Sequence, residues 1–243
     1  MIILEGLQDQ VVLVTGASRG IGRSISTALA GRGARVVLTA RNEVVLHKLE
    51  NEIMLSGGKA EAVRADISEE KDLSDLFKLI TEKYGKLDVL VNNAAVGTFG
   101  RLSEFSIADF DKIINVNLRG VFLCCQKALK LMIPAKSGYI INISSMQGFK
   151  GYKDQSAYAA SKHGVMGLTK SLASEVQEHG IRVSAILPGG VDTELIRQAR
   201  PDLDASVLIK KEDIAETVLF LLSLSDRAMV DQIIIRRRAA SSF

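Results

Sequence analysis

The sequence predicts an α/β fold: one doubly wound domain, with a mostly parallel seven-stranded sheet flanked by helices on both faces. Three observations lead there. Short β-branched runs alternate with helix-patterned stretches along most of the chain. Runs such as 11–14 and 89–91 are apolar throughout, as strands covered on both faces require. A glycine-rich turn follows the first of these runs and opens a helix. The alternation shows no linker, repeat or low-complexity segment, so residues 1–243 read as a single domain.

The first strand, 11–14, stops at Thr15-Gly16. Gly16-Ala-Ser-Arg-Gly20-Ile-Gly22 then leads into a helix patterned through Ile25, Leu29 and Arg32. Strand, glycine turn and helix together aim backbone N–H groups at a phosphate, although a turn without a ligand can have the same composition. The spacing departs from G-x-G-x-x-G, and the missing Gly-Lys-Ser/Thr argues against a P-loop phosphotransferase.

A second strand, 35–40, runs into Arg41-Asn42. Chains that hold an unphosphorylated ribose place a carboxylate near this point, and none stands here. Arg41 and Arg19 could instead converge on a 2′-phosphate, which favours NADP(H) over NAD(H); a plain surface charge is the other reading of Arg41. A helix over 42–56 closes at Gly57-Gly58, and a third strand covers 59–64. Asp66 is either a helix cap or an acceptor for an amino group. Ser68 is the more natural cap for the helix starting near Lys71, which leaves Asp66 free.

The fourth strand, 89–91, delivers Asn92-Asn93-Ala94-Ala95, small residues that permit close approach of a flat ligand at a strand's carboxyl end. One long helix is expected over 106–133, ended by Pro134 and Gly138. Asn117 inside it marks a kink or a buried water site, because asparagine is disfavoured in helix interiors. A fifth strand, 139–143, leads to Ser144-Ser145, and the next helix runs to about His179. The sixth strand, 182–187, breaks at Pro188-Gly189-Gly190. Segment 194–209 has weak periodicity and reads as a mobile loop or short helix over the site, where substrate choice is decided. A helix over 210–224 and an edge strand over 232–235 complete the chain.

Apolar residues make up 47% of the chain, enough for a substantial core. A formal charge of +3 is too small to argue for nucleic acid or membrane, and Arg236-Arg237-Arg238 reads as a solvated tail. Cys124 and Cys125 are adjacent, point in different directions on a helix, and read as reduced thiols in helix packing. No His or Cys grouping has metal-ligand spacing, so no metal is expected. Residues 1–10, with Glu5 and Asp9, lack signal-peptide order, and no apolar run approaches the ~18 residues of a bilayer span. A cytoplasmic protein with a small-molecule partner is expected.

The chemistry concentrates between Ser145 and Lys162. Tyr158 and Lys162 stand one helical turn apart. An ammonium beside a phenol favours phenolate and lowers a reference pKa of roughly 10, suiting the phenol to general acid/base work on an alcohol or carbonyl oxygen. Ser145 can hydrogen-bond that same oxygen. Taken alone, Tyr-x-x-x-Lys is also what a surface helix carries by chance.

Together, Thr15-Gly16-Ala-Ser-Arg-Gly20-Ile-Gly22, Asn92-Asn93-Ala94-Ala95, Asn117, Ser145, Tyr158-x-x-x-Lys162 and Pro188-Gly189-x-x-x-Thr193 resemble the short-chain dehydrogenase/reductase family in order and spacing. Within it the chain looks most like carbonyl reductases and 3-oxoacyl-carrier-protein reductases. The resemblance implies a Rossmann-type fold, NADP(H), and carbonyl–alcohol interconversion by hydride transfer. It also implies the roles. Tyr158 is the acid/base, Lys162 holds the nicotinamide ribose and lowers the Tyr158 pKa, and Ser145 polarises the substrate oxygen. Asn117 anchors a water leading from Lys162 to solvent. Gly16, Ser18, Arg19, Gly20, Ile21, Gly22 and Arg41 take the phosphates, Asp66 and Ile67 the adenine, Asn93 and Ala94 the cofactor's middle, and Pro188, Gly189, Val191 and Thr193 the carboxamide. A homodimer or homotetramer is implied too, although Arg236-Arg237-Arg238 replaces the acidic-Gly-Gly end of many relatives. Ala95 for the motif's usual glycine trims space slightly, and His163 reads as a packing or interface residue. A non-catalytic NADP(H) sensor is the alternative, disfavoured by the complete set of proton-handling residues.

Overall fold

The computed structural model describes residues 7–240, so the Glu5 of the N-terminal reading lies outside the described residues. Strands β1 (Val11–Thr15), β2 (Arg35–Ala40), β3 (Lys59–Arg64), β4 (Val89–Asn92), β5 (Gly138–Ile143), β6 (Ile181–Pro188) and β7 (Gln232–Ile235) form one sheet. Its order is β3-β2-β1-β4-β5-β6-β7, and each of the neighbouring pairs is parallel. Between and after the strands come α1 (Gly20–Ala30), α2 (Glu43–Leu55), α3 (Glu70–Tyr84), α4 (Ile107–Ile114), α5 (Val121–Ala135), α6 (Ser156–Val176), α7 (Glu194–Ala199) and α8 (Lys211–Ser223). The chain winds outward from β1 to β3, then crosses back to place β4 on the other side of β1. Sheets wound in this way take ligands in the crevice at such a reversal, here outside the carboxyl ends of β1 and β4.

Alternation along β1 explains the two-sided core. Val12 and Val14 join Ile25, Leu29 and Val218 on one face, while Val11 and Leu13 join Leu73, Leu76, Cys124 and Val165 on the other. All five β1 residues are buried, so a truncation such as Leu13→Ala would cost about 2–5 kcal/mol. Both cysteines are free and buried on α5, and burial pushes both thiols up, Cys125 to about 12.

Four expectations are corrected. The long helix over 106–133 is divided: α4 and α5 are joined by a π-helical turn, Asn115–Gly120, which contains Asn117. A Cβ on Gly120 would lie 2.8 Å from Ile67 Cδ1, so glycine lets this turn seat closely on Ile67. Pro134 does not stop α5 but lies within its final turn, and Lys136, at φ 48°, closes it. Ser68 does not cap α3. Its N–H and hydroxyl donate to Asp66 Oδ1 at 3.0 and 2.7 Å, and Glu69 occupies the cap position. Of the two readings of 194–209, loop or short helix, the structure has the short helix: α7, followed by a turn at Ala205–Val207. Nor is the arginine run simply a solvated tail: Arg237 is half-buried, with its Cδ where a Cβ on Gly190 would come within 3.3 Å.

Candidate active site

The carboxyl ends of β1 and β4 are locked together by side chains. Thr15 Oγ1 accepts the N–H groups of Asn93 and Ala94, both at 3.0 Å. Asn93 Nδ2 donates to the carbonyls of Thr15 at 2.9 Å and Gly16 at 3.2 Å. Asn93 therefore shapes the glycine turn through its amide. The turn has no spare volume: a Cβ on Gly16 would lie 2.8 Å from Ala94 Cα, and one on Gly22 would lie 2.3 Å from the Gly16 carbonyl oxygen. Gly16 and Gly20 also have positive φ, 65° and 56°, where a side chain is strained. Helix α1 starts without a side-chain cap and without an acidic residue in its first turn, so its N-terminal N–H groups and positive dipole end suit an anion. Ser18 and Ile21 are half-buried in the same turn.

The two arginines assigned to a phosphate have carboxylate partners instead of each other. Arg19 pairs with Glu194 at the start of α7, and both are largely exposed. Arg41 Nη1 lies 3.9 Å from Asp66 Oδ2. Asp66 is thus not free, being engaged by Ser68 and Arg41, but it still lines an open depression with Arg41, Asp111, Lys112 and Asn115. Ile67 is buried, and its side chain belongs to the core.

Strand β5 ends at Ile143, and Ser145 follows as the cap of the turn Met146–Gly148, its Oγ accepting from the Gln147 N–H at 3.1 Å. Tyr158 stands in the first turn of α6 with Lys162 one turn on, 6% and 3% exposed. Lys162 Nζ donates to the Ile143 carbonyl at 3.0 Å and lies 5.7 Å from the Tyr158 ring centre. Burial raises the Tyr158 phenol above its ordinary value, and a hydrogen bond with Ser145 pulls it part of the way back. Burial lowers Lys162 to about 8. The phenol expected to be lowered by Lys162 is instead raised, with burial the leading cause.

Asn117 is fully buried. Its Oδ1 accepts from the Val96 N–H at 2.8 Å, and its Nδ2 donates to the Val96 carbonyl at 2.8 Å and to Ser161 Oγ at 3.1 Å. Ser161 in turn donates to the Tyr158 carbonyl at 2.7 Å. The side-chain amide therefore ties the strand β4 exit to α6, and both of its hydrogens have protein acceptors. Those bonds give the side chain a positioning role.

On the other side of the crevice, Gly189 N–H donates to the Ile235 carbonyl at 2.7 Å, and Val191 pairs with Ile209. These contacts turn the chain after Pro188 so that Thr193 Cγ2 sits 3.4 Å from where a Gly20 Cβ would be. A Cβ on Gly97 would meet Phe99 Cζ at 2.8 Å and Leu195 Cδ1 at 2.9 Å, and the Phe99 ring meets Tyr158 edge-on at 5.8 Å. Helix α7 thus reaches toward both the glycine turn and the phenol. His163 Nδ1 donates to the Ala159 carbonyl of its own helix at 2.9 Å. Among the described residues, no group of three or more His, Cys, Asp or Glu could hold a metal.

The motifs did not single out Thr15, Gln147 and Phe99 individually. Thr15 was readable as a hydroxyl at a strand end before glycine, whereas Phe99 and Gln147 acquire meaning only from their neighbours in space.

The family model for short chain dehydrogenase matches residues 10–204. A 3-oxoacyl-[acyl-carrier-protein] reductase of Synechocystis sp. is 39% identical over 224 residues, covering 90% of this chain and 91% of the relative. A 3beta-hydroxysteroid dehydrogenase of Mediterraneibacter gnavus is 41% identical over 206 residues, covering 83% and 73%. Among solved structures, a metagenomic short-chain oxidoreductase in complex with NADP superposes with a TM-score of 0.85 at 39% identity, over 96% of this chain and 99% of that one. An alcohol dehydrogenase of the archaeon Thermococcus sibiricus complexed with 5-hydroxy-NADP gives 0.90 at 29% identity, over 97% and 100%. With the glycine turn, the Asn93 lock and the Tyr158–Lys162 pair all assembled on one parallel sheet, this chain belongs to the short-chain dehydrogenase family.

Proposed function

We propose that the chain is an NADP(H)-dependent oxidoreductase that interconverts a carbonyl (a ketone, an aldehyde or a 3-oxoacyl thioester) and an alcohol, with Tyr158 as general acid/base. The observation that carries this reading is the buried phenol of Tyr158, hydrogen-bonded to Ser145 and lying beside the Lys162 amine at the carboxyl end of β5. The glycine turn, too tight for any Cβ at Gly16 or Gly22 and opening an uncapped helix, fits a dinucleotide diphosphate. Arg41 and Arg19 supply charge for a 2′-phosphate, and the NADP-type ligands of two structural neighbours favour the phosphorylated cofactor. When bound, the reduced nicotinamide supplies the hydride.

The protein supplies proton control and position. Burial keeps the Tyr158 phenol protonated, the form that can give a proton to a developing alkoxide. Ser145 shares the substrate oxygen with Tyr158 and fixes its direction. Lys162, held by the Ile143 carbonyl, places positive charge beneath the ring at pH values below about 8 and offers donors to ribose hydroxyls. Asn117 keeps α6 and the Val96 segment in register around these groups.

A cytoplasmic location and a homo-oligomer complete the reading. The buried reduced thiols suit the first, and the exposed Phe110 and Phe122 on α4 and α5 suit a dimer through these helices. No helix among the described residues is long and apolar enough to cross a membrane. The test is oxidation of NADPH by the purified chain with activated ketones, aldehydes and 3-oxoacyl thioesters. Tight NADPH binding without turnover of any of them would replace the enzyme with a sensor.

A further inference from the structure

The open depression beyond the end of β2 is lined from two sides. Arg41 and Asp66 belong to the segments that follow β2 and β3, while Ala108, Asp111, Lys112 and Val116 belong to α4 and the π-helical turn. Its volume is about 460 Å³. Ala108 and Val116 give it some apolar surface, and its charged residues are two cations and two carboxylates.

The charges are unevenly engaged. Asp66 accepts from the Ser68 N–H and hydroxyl and lies near Arg41. Lys112 is exposed and forms no ion pair with Asp111 or with any other carboxylate among the described residues. Arg119, the next cation along this segment, donates to the Ser68 carbonyl at 2.8 Å and does not line the depression. Lys112 is therefore an unpaired ammonium in the same depression as a guanidinium. Helix electrostatics do not account for it. A cation in a last turn ordinarily answers free carbonyls, but α4 continues into the π-helical turn, and the Asn115 N–H hydrogen-bonds the carbonyls of Asp111 and Lys112. Nor does Lys112 share the face of Phe110, since residues two apart on a helix point in nearly opposite directions.

Two cations brought to one depression repel each other, and an anion between them reverses the sign of that interaction. A phosphate monoester carries about −1.5 to −2 charge at pH 7 and three acceptor oxygens, more than one guanidinium matches. Arg19 does not line this depression and is paired with Glu194. Resting on the reading of the chain as an NADP(H) enzyme, we propose that Lys112 is a further binding residue for the cofactor's 2′-phosphate, supplying a second cation from α4 to the phosphate that Arg41 holds. The planar fork of Arg41 gives direction, and the ammonium of Lys112, on its flexible stem, gives charge.

Calorimetry with the full chain compares 2′,5′-ADP, which carries the 2′-phosphate, with 5′-AMP, which lacks it, and so reads binding apart from turnover. In Lys112→Gln, 2′,5′-ADP should bind about threefold to tenfold more weakly, and 5′-AMP should stay within about twofold of the parent. Lys112→Arg should keep the parent's preference, and the loss in Lys112→Gln should shrink at high salt. In steady-state kinetics Lys112→Gln should raise the KM for NADPH by the same factor and leave its kcat and the KM for NADH unchanged. Should Lys112→Gln melt early, Lys112→Met takes its place. A variant that binds 2′,5′-ADP as tightly as the parent, or that loses both nucleotides equally, overturns the proposal, while the parent's preference for 2′,5′-ADP keeps the NADP(H) reading. A parent that binds the two nucleotides equally overturns both.

Discussion

Lys162 Nζ is anchored on the Ile143 carbonyl at 3.0 Å and stands 5.7 Å from the centre of the Tyr158 ring, so the end of strand β5 fixes the amine beneath the phenol. Both side chains are buried, which shifts both toward their neutral forms. The sheet thus sets the geometry of phenol and amine, and in the proposed function the two handle the proton together.

Removing only the phenol oxygen tests that unit. Tyr158→Phe keeps the edge contact with Phe99 and should lower kcat by about a hundredfold to ten-thousandfold. NADPH affinity, measured by fluorescence titration, should change little. A variant as fast as the parent would remove Tyr158 from the chemistry.

The lowered Lys162 pKa has a consequence for stability. The unfolded side chain binds its proton up to about 10.5 and the folded one only to about 8, so between these values the unfolded state holds more protons. Stability contributed by this group therefore rises with pH through that window, and the penalty is fully present below about 8. Its upper bound is about 3 kcal/mol. Urea denaturation of the parent and Lys162→Met at pH values on either side of the window should show a stability difference that narrows as pH rises. A difference independent of pH would contradict the assignment.

Arg19 and Arg41 face carboxylates in the structure, and in the proposed function a cofactor phosphate would compete with these partners. Arg41→Asp combined with Arg19→Ala should raise the KM for NADPH by about tenfold or more and shift preference toward NADH. Glu194→Gln frees Arg19 from its exposed partner and should tighten NADPH binding by about twofold to fivefold, an effect that shrinks in salt. Initial rates with both cofactors at two ionic strengths check both.

Asn117→Ala removes the bonds to Val96 and Ser161 and leaves buried backbone groups unpaired. It should destabilise the chain by about 2–4 kcal/mol in urea melts and also reduce kcat, because α6 loses a tie next to Tyr158. Normal stability would mean that the π-helical turn does not depend on this amide.

The strands, the glycine turn and the Tyr158–Lys162 spacing were legible because each depends on residues within a few positions of one another. Apolar runs fix which segments can be strands, glycines permit a turn that no Cβ could enter, and one helical turn puts phenol and amine on the same face. Pattern alone took 106–133 as one helix, since a π-helical turn keeps the apolar periodicity nearly intact while adding a residue. It assigned Ser68 to the cap of α3, although Asp66, two residues away, takes its hydroxyl instead.

By itself, then, the sequence determined the α/β class, the order of elements and the local placement of the reactive groups. Only the tertiary structure decided that Arg19 faces Glu194, that Asn117 joins Val96 to Ser161, and that Lys112 shares one depression with Arg41. The physical reason is range. Periodicity and turn chemistry act between near neighbours, whereas the partner and solvent exposure of a polar group depend on segments brought together only when the sheet is assembled.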